Sequence, residues 1–172
     1  MMRATSAYAN KMLKQLNEEK EFWLNKEKDS MLYVAAAEEE PVIPDYDYVE
    51  VSSKLEEIDK KICKIKHAIN QSNINSEIDI FGEKLTIDVL LVRMAQINKR
   101  KTVLDKMRKQ LPKCRVDDNV FSARKTFVEY RYVNYDLERV QKDFDEVSKL
   151  LFEMQLKLDE HNQNAVFDID VD

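Results

Sequence analysis

In VSSKLEEIDKKICKIKHAI, residues 51–69, the side chains Val51, Leu55, Ile58, Ile62, Ile65 and Ile69 are spaced 4-3-4-3-4. A second stretch, LERVQKDFDEVSKLLFEMQLKL at residues 137–158, keeps the same rhythm in Leu137, Val140, Phe144, Val147, Leu151, Met154 and Leu158. An apolar period of three and a half residues is what helices need when they pack along a seam. The strongest helix breakers, Pro41, Pro44, Gly82 and Pro112, fall at just three places and leave helix-forming sequence between them.

Working outward, Asp47 suits the N-cap of the helix that carries the first seam. Glu50 stands at the capping-box position, and Tyr46 with Val51 can form the hydrophobic staple. This helix is expected over 48–71. A preceding helix over 5–38 carries Leu13, Leu16, Trp23, Leu24, Met31 and Val34, although Lys20 and Glu27 interrupt its stripe. A third, over 87–111, starts at Thr86 with Asp88 in its first turn, presents Leu90, Leu91, Met94, Ile97, Leu104, Met107 and Leu111, and stops at Pro112. The fourth is expected over 136–162, beginning at Asn134 or Asp136. Short strands are expected where apolar and polar residues alternate. They fall at 77–85, with a turn at Phe81-Gly82-Glu83, at 126–133, with Val128, Tyr130 and Tyr132 on one face, and at 166–171, with Phe167, Ile169 and Val171 opposite Asp168, Asp170 and Asp172. The expected fold is mainly α: one elongated helical domain over 1–172, an antiparallel bundle or coiled coil of about four long helices with a small β cap.

Composition bounds the function. Of the 172 residues, 44% are apolar and 35% charged, well above the usual charged share of about 25%, as long amphipathic helices require. A net charge of −5 is modest and argues against a surface built wholly to neutralise phosphates. Cys63 and Cys114 are isolated thiols without CxxC spacing, and no apolar run is long enough for a secretory signal or a membrane span. The expected location is cytoplasmic.

Several quoted segments resemble a group of small bacterial helical proteins labelled septicolysin-like. They are an opening leucine-bearing helix, the acidic linker AAAEEEPVIPD, the helix end INQSN at Ile69–Asn73, the hairpin entering KLTIDVLLVRM, and the stretch from Tyr130 to Gln163. The resemblance covers nearly the whole chain. It implies a helical, coiled-coil fold, and the family label implies a toxin-like activity of the pore-forming kind.

Catalytic chemistry finds little material. With Gly82 as the sole glycine no phosphate-cradling loop can be built, and there is no GxSxG elbow and no paired ExxH motif. Cys63 and His67 are i,i+4 and can share a metal with His161 or a carboxylate, but a semi-buried thiol and a surface histidine are the expected outcome. Cys114 has cationic neighbours in Lys113 and Arg115 without a nearby histidine to serve as base. Carboxylates such as Glu18, Glu19, Glu21, Glu38, Glu39 and Glu40 read as solvated faces. No enzyme activity, cofactor, metal or small-molecule substrate is expected.

The one functional lead is electrostatic. Lys99, Arg100, Lys101, Lys106, Arg108, Lys109, Lys113 and Arg115 face the single acid Asp105 in their tract. Such a tract can contact nucleic-acid phosphates or an anionic membrane. It can equally be neutralised within the fold, by the acidic linker or by Asp143, Asp145 and Glu146. Tyr130, Tyr132 and Tyr135 can offer a stacking platform, though alternating tyrosines more often pack a strand on helices. The favoured expectation is a non-enzymatic structural or interaction protein whose seams mediate packing and self-association as a homo-oligomer or with partner helices, helices one and three keeping faces free. The alternative is an anionic-surface binder acting through the basic tract.

Overall fold

The computed structural model describes residues 1–38, 40–116 and 128–170. They hold β1 (Met2–Thr5), α1 (Ser6–Ser30), α2 (Tyr48–Asn75), β2 (Glu77–Ile80), β3 (Glu83–Thr86), α3 (Ile87–Arg108), β4 (Lys113–Arg115), β5 (Tyr130–Tyr132), α4 (Leu137–Asn164) and β6 (Val166–Ile169). The chain divides into two compact units, one of Met1–Ile78 with Leu158–Asp172, the other of Asp79–Lys157.

Helix starts follow cap chemistry. The Asp47 carboxylate accepts the backbone N–H of Val49 and of Glu50 at 2.8 and 3.2 Å, which satisfies donors that a helix start otherwise leaves bare. Asp136 does the same for Glu138 and Arg139 at α4, so the fourth helix starts there rather than at Asn134. Thr86 caps α3 through its extended backbone alone, without a side-chain bond.

The first unit is built on α1 and α2. Lys20 meets Asp59 at 2.6 Å, and Tyr46 donates to Glu27 at 2.9 Å; partner numbers fall on α2's side as they rise on α1's, so the two run antiparallel. Between them lies a core of Ala9, Leu13, Ile58, Ile62 and Ile65, with Leu16, Trp23 and Ile69 packed at its edge. Ala4 of β1 and Ile169 of β6 join it. These strands pair antiparallel, Met2 opposite Ile169 and Thr5 opposite Val166, with Phe167 on the inner side and Asp168 outside.

The expected first helix over 5–38 is corrected at both ends. Residues 2–5 are strand, and the helix stops at Ser30, where Met31 N–H closes the last turn on the Glu27 carbonyl at 2.9 Å. Since Tyr46 sits at Glu27 and α2 begins at Tyr48, the antiparallel partner has run out by residue 30. A helix gains most of its stability from a buried face, and Val34 has none.

In the second unit Ile80, Ile87, Leu90, Met94, Leu104, Val140 and Met154 are buried. The seam residues read from α2 and α4 are all buried or half-buried. Among the described residues the strands are not one sheet: they pair as three two-stranded ribbons, β1 with β6, β2 with β3 and β4 with β5. Residues 126–127 of the expected strand, and Val171 and Asp172, lie outside the described residues.

Candidate functional site

All eight cations of the basic tract belong to the second unit, five on α3, with Lys109 as its C-cap and Lys113 and Arg115 on β4. A helix turns about 100° per residue, so this tract cannot present one face. Lys101 and Arg108, seven residues apart, turn to α4: the Arg108 guanidinium lies 4.1 Å from the Phe144 ring centroid and Lys101 Nζ lies 5.8 Å from it. Both are half-buried, as cation–aromatic packing along aliphatic stems allows. Lys99, Arg100 and Lys106 are exposed and form no ion pair with the described residues.

Asp105 neutralises two of the eight. Its carboxylate accepts Arg108 Nε at 2.9 Å, pairs with Arg108 Nη2 at 2.7 Å, and takes Lys109 Nζ on its other oxygen. The Lys109 hydrogen bond, then that of Arg108, holds the Asp105 carboxyl below the usual carboxylate range. Asp143, Asp145 and Glu146 pair instead within α4: Asp143 with Arg139, Glu146 with Lys142, and Asp145, which accepts from Gln141, each one turn away.

Past Pro112 the chain turns into β4. Its antiparallel register with β5 sets Lys113 opposite Tyr132, Cys114 opposite Arg131 and Arg115 opposite Tyr130. Bonds from Val133 N–H to the Pro112 carbonyl and from Val116 N–H to the Glu129 carbonyl continue the pairing at both ends. Opposed residues, and residues two apart, share a face of a strand pair. One face therefore carries Lys113, Arg115, Tyr130 and Tyr132, and the other carries Cys114 and Arg131. Lys113 Nζ stands 4.1 Å from the Tyr130 centroid and 5.6 Å from that of Tyr132, and the two rings are 6.5 Å apart. Tyr130 is 46% exposed and Tyr132 62%, so neither packs a strand against helices. Tyr135 does take that structural role: it is half-buried, and its hydroxyl donates at 2.9 Å to the Met107 carbonyl, one of the acceptors that the end of α3 leaves open. Beside the ribbon a cleft of about 520 Å³ is lined by Lys109, Leu111, Cys114, Arg131 and Tyr135 among others.

Cys114 is an exposed free thiol with Sγ 3.5 Å from the Arg115 carbonyl, and Cys63, expected half-buried, is exposed, as is His67. No three His, Cys, Asp or Glu side chains converge as metal ligands among the described residues. His161 is half-buried in α4, its Nε2 enclosed without a hydrogen-bond partner, and burial pushes the imidazole below its ordinary value. Sequence reasoning missed Phe144 as a platform for cations and Lys113 as the filling between two tyrosines. The i,i+7 spacing of Lys101 and Arg108 carried a signal for the first; the second depends on a strand pairing that no local pattern announces.

The molecule is thus a mainly helical protein with small antiparallel strand pairs. No family model and no curated protein matches the chain. A solved structure that resembles it, the crystal structure of a functionally unknown conserved protein from Corynebacterium diphtheriae, is 15% identical, covers 97% of this chain and 100% of that one, and superposes with a TM-score of 0.69. That likeness supports the fold. No helix among the described residues is long and apolar enough to cross a membrane.

Proposed function

We propose that this chain is a non-enzymatic interaction protein whose helices assemble as an antiparallel bundle and which self-associates through the segment joining α1 to α2. One observation carries the reading: Leu32, Val34 and Val42 are 78%, 99% and 89% exposed, and Ile43, Tyr48 and Val49 beside them are exposed as well. Scattered surface apolar residues are ordinary, but a run of this kind in one segment marks an interaction site. Covering each such side chain contributes roughly 1.5–3 kcal/mol, so a few of them offset the cost of association.

A second copy suits the segment by charge. Glu38, Glu40 and Asp45 flank the apolar run, while Lys99, Arg100 and Lys106 are exposed cations of the same chain. An acidic-flanked apolar strip and exposed helix cations supplied by two copies have the complementarity that fixes register and speeds encounter. A partner helix of similar composition is the other occupant this chemistry accepts. The two exposed free thiols fit the reducing cytoplasm. The septicolysin-like resemblance adds no residue to this reading, and its toxin-like implication is tested by the vesicle measurement below.

Light scattering across a concentration series tests the proposal. The expected mass rises above the 20.4 kDa of one chain, and Leu32→Glu with Val34→Glu returns it to that value with the helical circular dichroism unchanged. A wild-type chain that remains at one-chain mass at the highest attainable concentration refutes it.

A further inference from the structure

We infer that the exposed face of the β4–β5 ribbon binds single-stranded nucleic acid, Tyr130 and Tyr132 stacking on unpaired bases while Lys113 and Arg115 meet the phosphates. The register places the four side chains on one face, two aromatic on β5 and two cationic on β4. Ring faces accept any base, and a flanking strand of positive charge follows the backbone, which is the arrangement single-strand binders use.

The exposure of the tyrosines needs an explanation of this kind. Two rings projecting from a three-residue strand add nothing to a core, and Lys113 poised over them at 4.1 and 5.6 Å forms an exposed cation–π contact that is weak and readily exchanged. A base that displaces the ammonium from a ring leaves Lys113 beside that base's own phosphate. The rings lie 6.5 Å apart and tilted by 53°, so each meets a separate base and not one shared plane. Paired bases in a duplex bury the surfaces these rings require, which favours single strands. An anionic membrane is disfavoured because none of the four side chains is wholly apolar, as one that enters the acyl region is. Asp105 restrains binding from α3, since it occupies Lys109, a residue that lines the adjoining cleft.

Fluorescence anisotropy with a labelled oligothymidylate is the test, run beside a duplex of equal length and vesicles of phosphatidylserine and phosphatidylcholine. Expected is binding to the single strand that weakens with salt, with a log–log slope of about −1.4 if the two ribbon cations alone neutralise phosphates. Tyr130→Ala and Tyr132→Ala should each weaken it by about tenfold, the lower part of the range for loss of one stacked base. Tyr→Phe at either position should leave it intact, Lys113→Glu should reduce it, and Asp105→Asn should strengthen it. All these side chains are exposed or half-buried, and circular dichroism checks that the variants fold. No binding at low salt, binding indifferent to loss of the tyrosine rings, equal or tighter binding to the duplex, or vesicle binding alone overturns the inference. Oligomer mass is measured separately, so this outcome is independent of the proposed self-association.

Discussion

Phe81 shows how a single residue can work against its own fold. The two-residue turn between β2 and β3 places Phe81 at φ 54° and Gly82 at φ 87°, the mirror-image turn whose twist suits a hairpin. Glycine adopts that conformation freely, whereas a side chain there costs roughly 1–2 kcal/mol. Phe81 is 70% exposed, so little packing offsets the cost. Phe81→Asn should therefore raise the urea midpoint, by up to about 1 kcal/mol of stability, because asparagine tolerates the left-handed region. An unchanged or lower midpoint would mean the ring contributes contacts of its own. His161 sets a pH dependence of definite sign. In the unfolded chain it titrates near 6.5, and in the fold lower, so the unfolded state takes up the proton first. Its stabilising effect is present above about pH 6.5 and is lost as the pH falls through that value toward the folded one. Denaturation at about pH 7.5 and about pH 5.5 should show a loss that His161→Gln diminishes. The depressed carboxyls of Glu56 and Asp105 do not confuse that comparison, since their effect fades only as the pH drops through and below the usual carboxylate range.

At the scale of an element, α1 and α2 mark how far periodicity reaches. The α2 seam was legible because Ile58, Ile62 and Ile65 are buried for their own apolar content, which a sequence displays. Val34 continues the α1 period equally well, yet it lies beyond the helix, because what ends α1 is where its partner starts. Ile65→Ala should cost on the order of 3 kcal/mol, whereas Val34→Ala should stay within about 0.5 kcal/mol in the one-chain state, both read from urea midpoints. Comparable losses would place residues 31–34 in a packed helix after all. β1 and β4 escaped notice for a related reason. MRAT and KCR alternate over only 4 and 3 residues, too few to tell a strand from chance; β1 is a strand because Val166–Ile169 lies alongside, and β4 because Tyr130–Tyr132 does. The basic tract was legible as charge, and its division was not. Asp105 and Phe144 decide which cations remain free, and only Asp105 is near them in sequence.

Across the whole molecule, the helices follow from local pattern while the units that they build depend on distant pairing. The first unit takes its second strand and a fully buried isoleucine from the far end of the chain, since Ile169 sits opposite Met2. That pairing dictates an order of events during synthesis. However early α1 and α2 emerge from the ribosome, the part of their shared core that Ile169 and Phe167 cover stays open to water until residues 158–170 have been translated. A pause before that point leaves apolar surface for a chaperone to guard, whereas the seam of α2 alone would have suggested a hairpin able to close unaided.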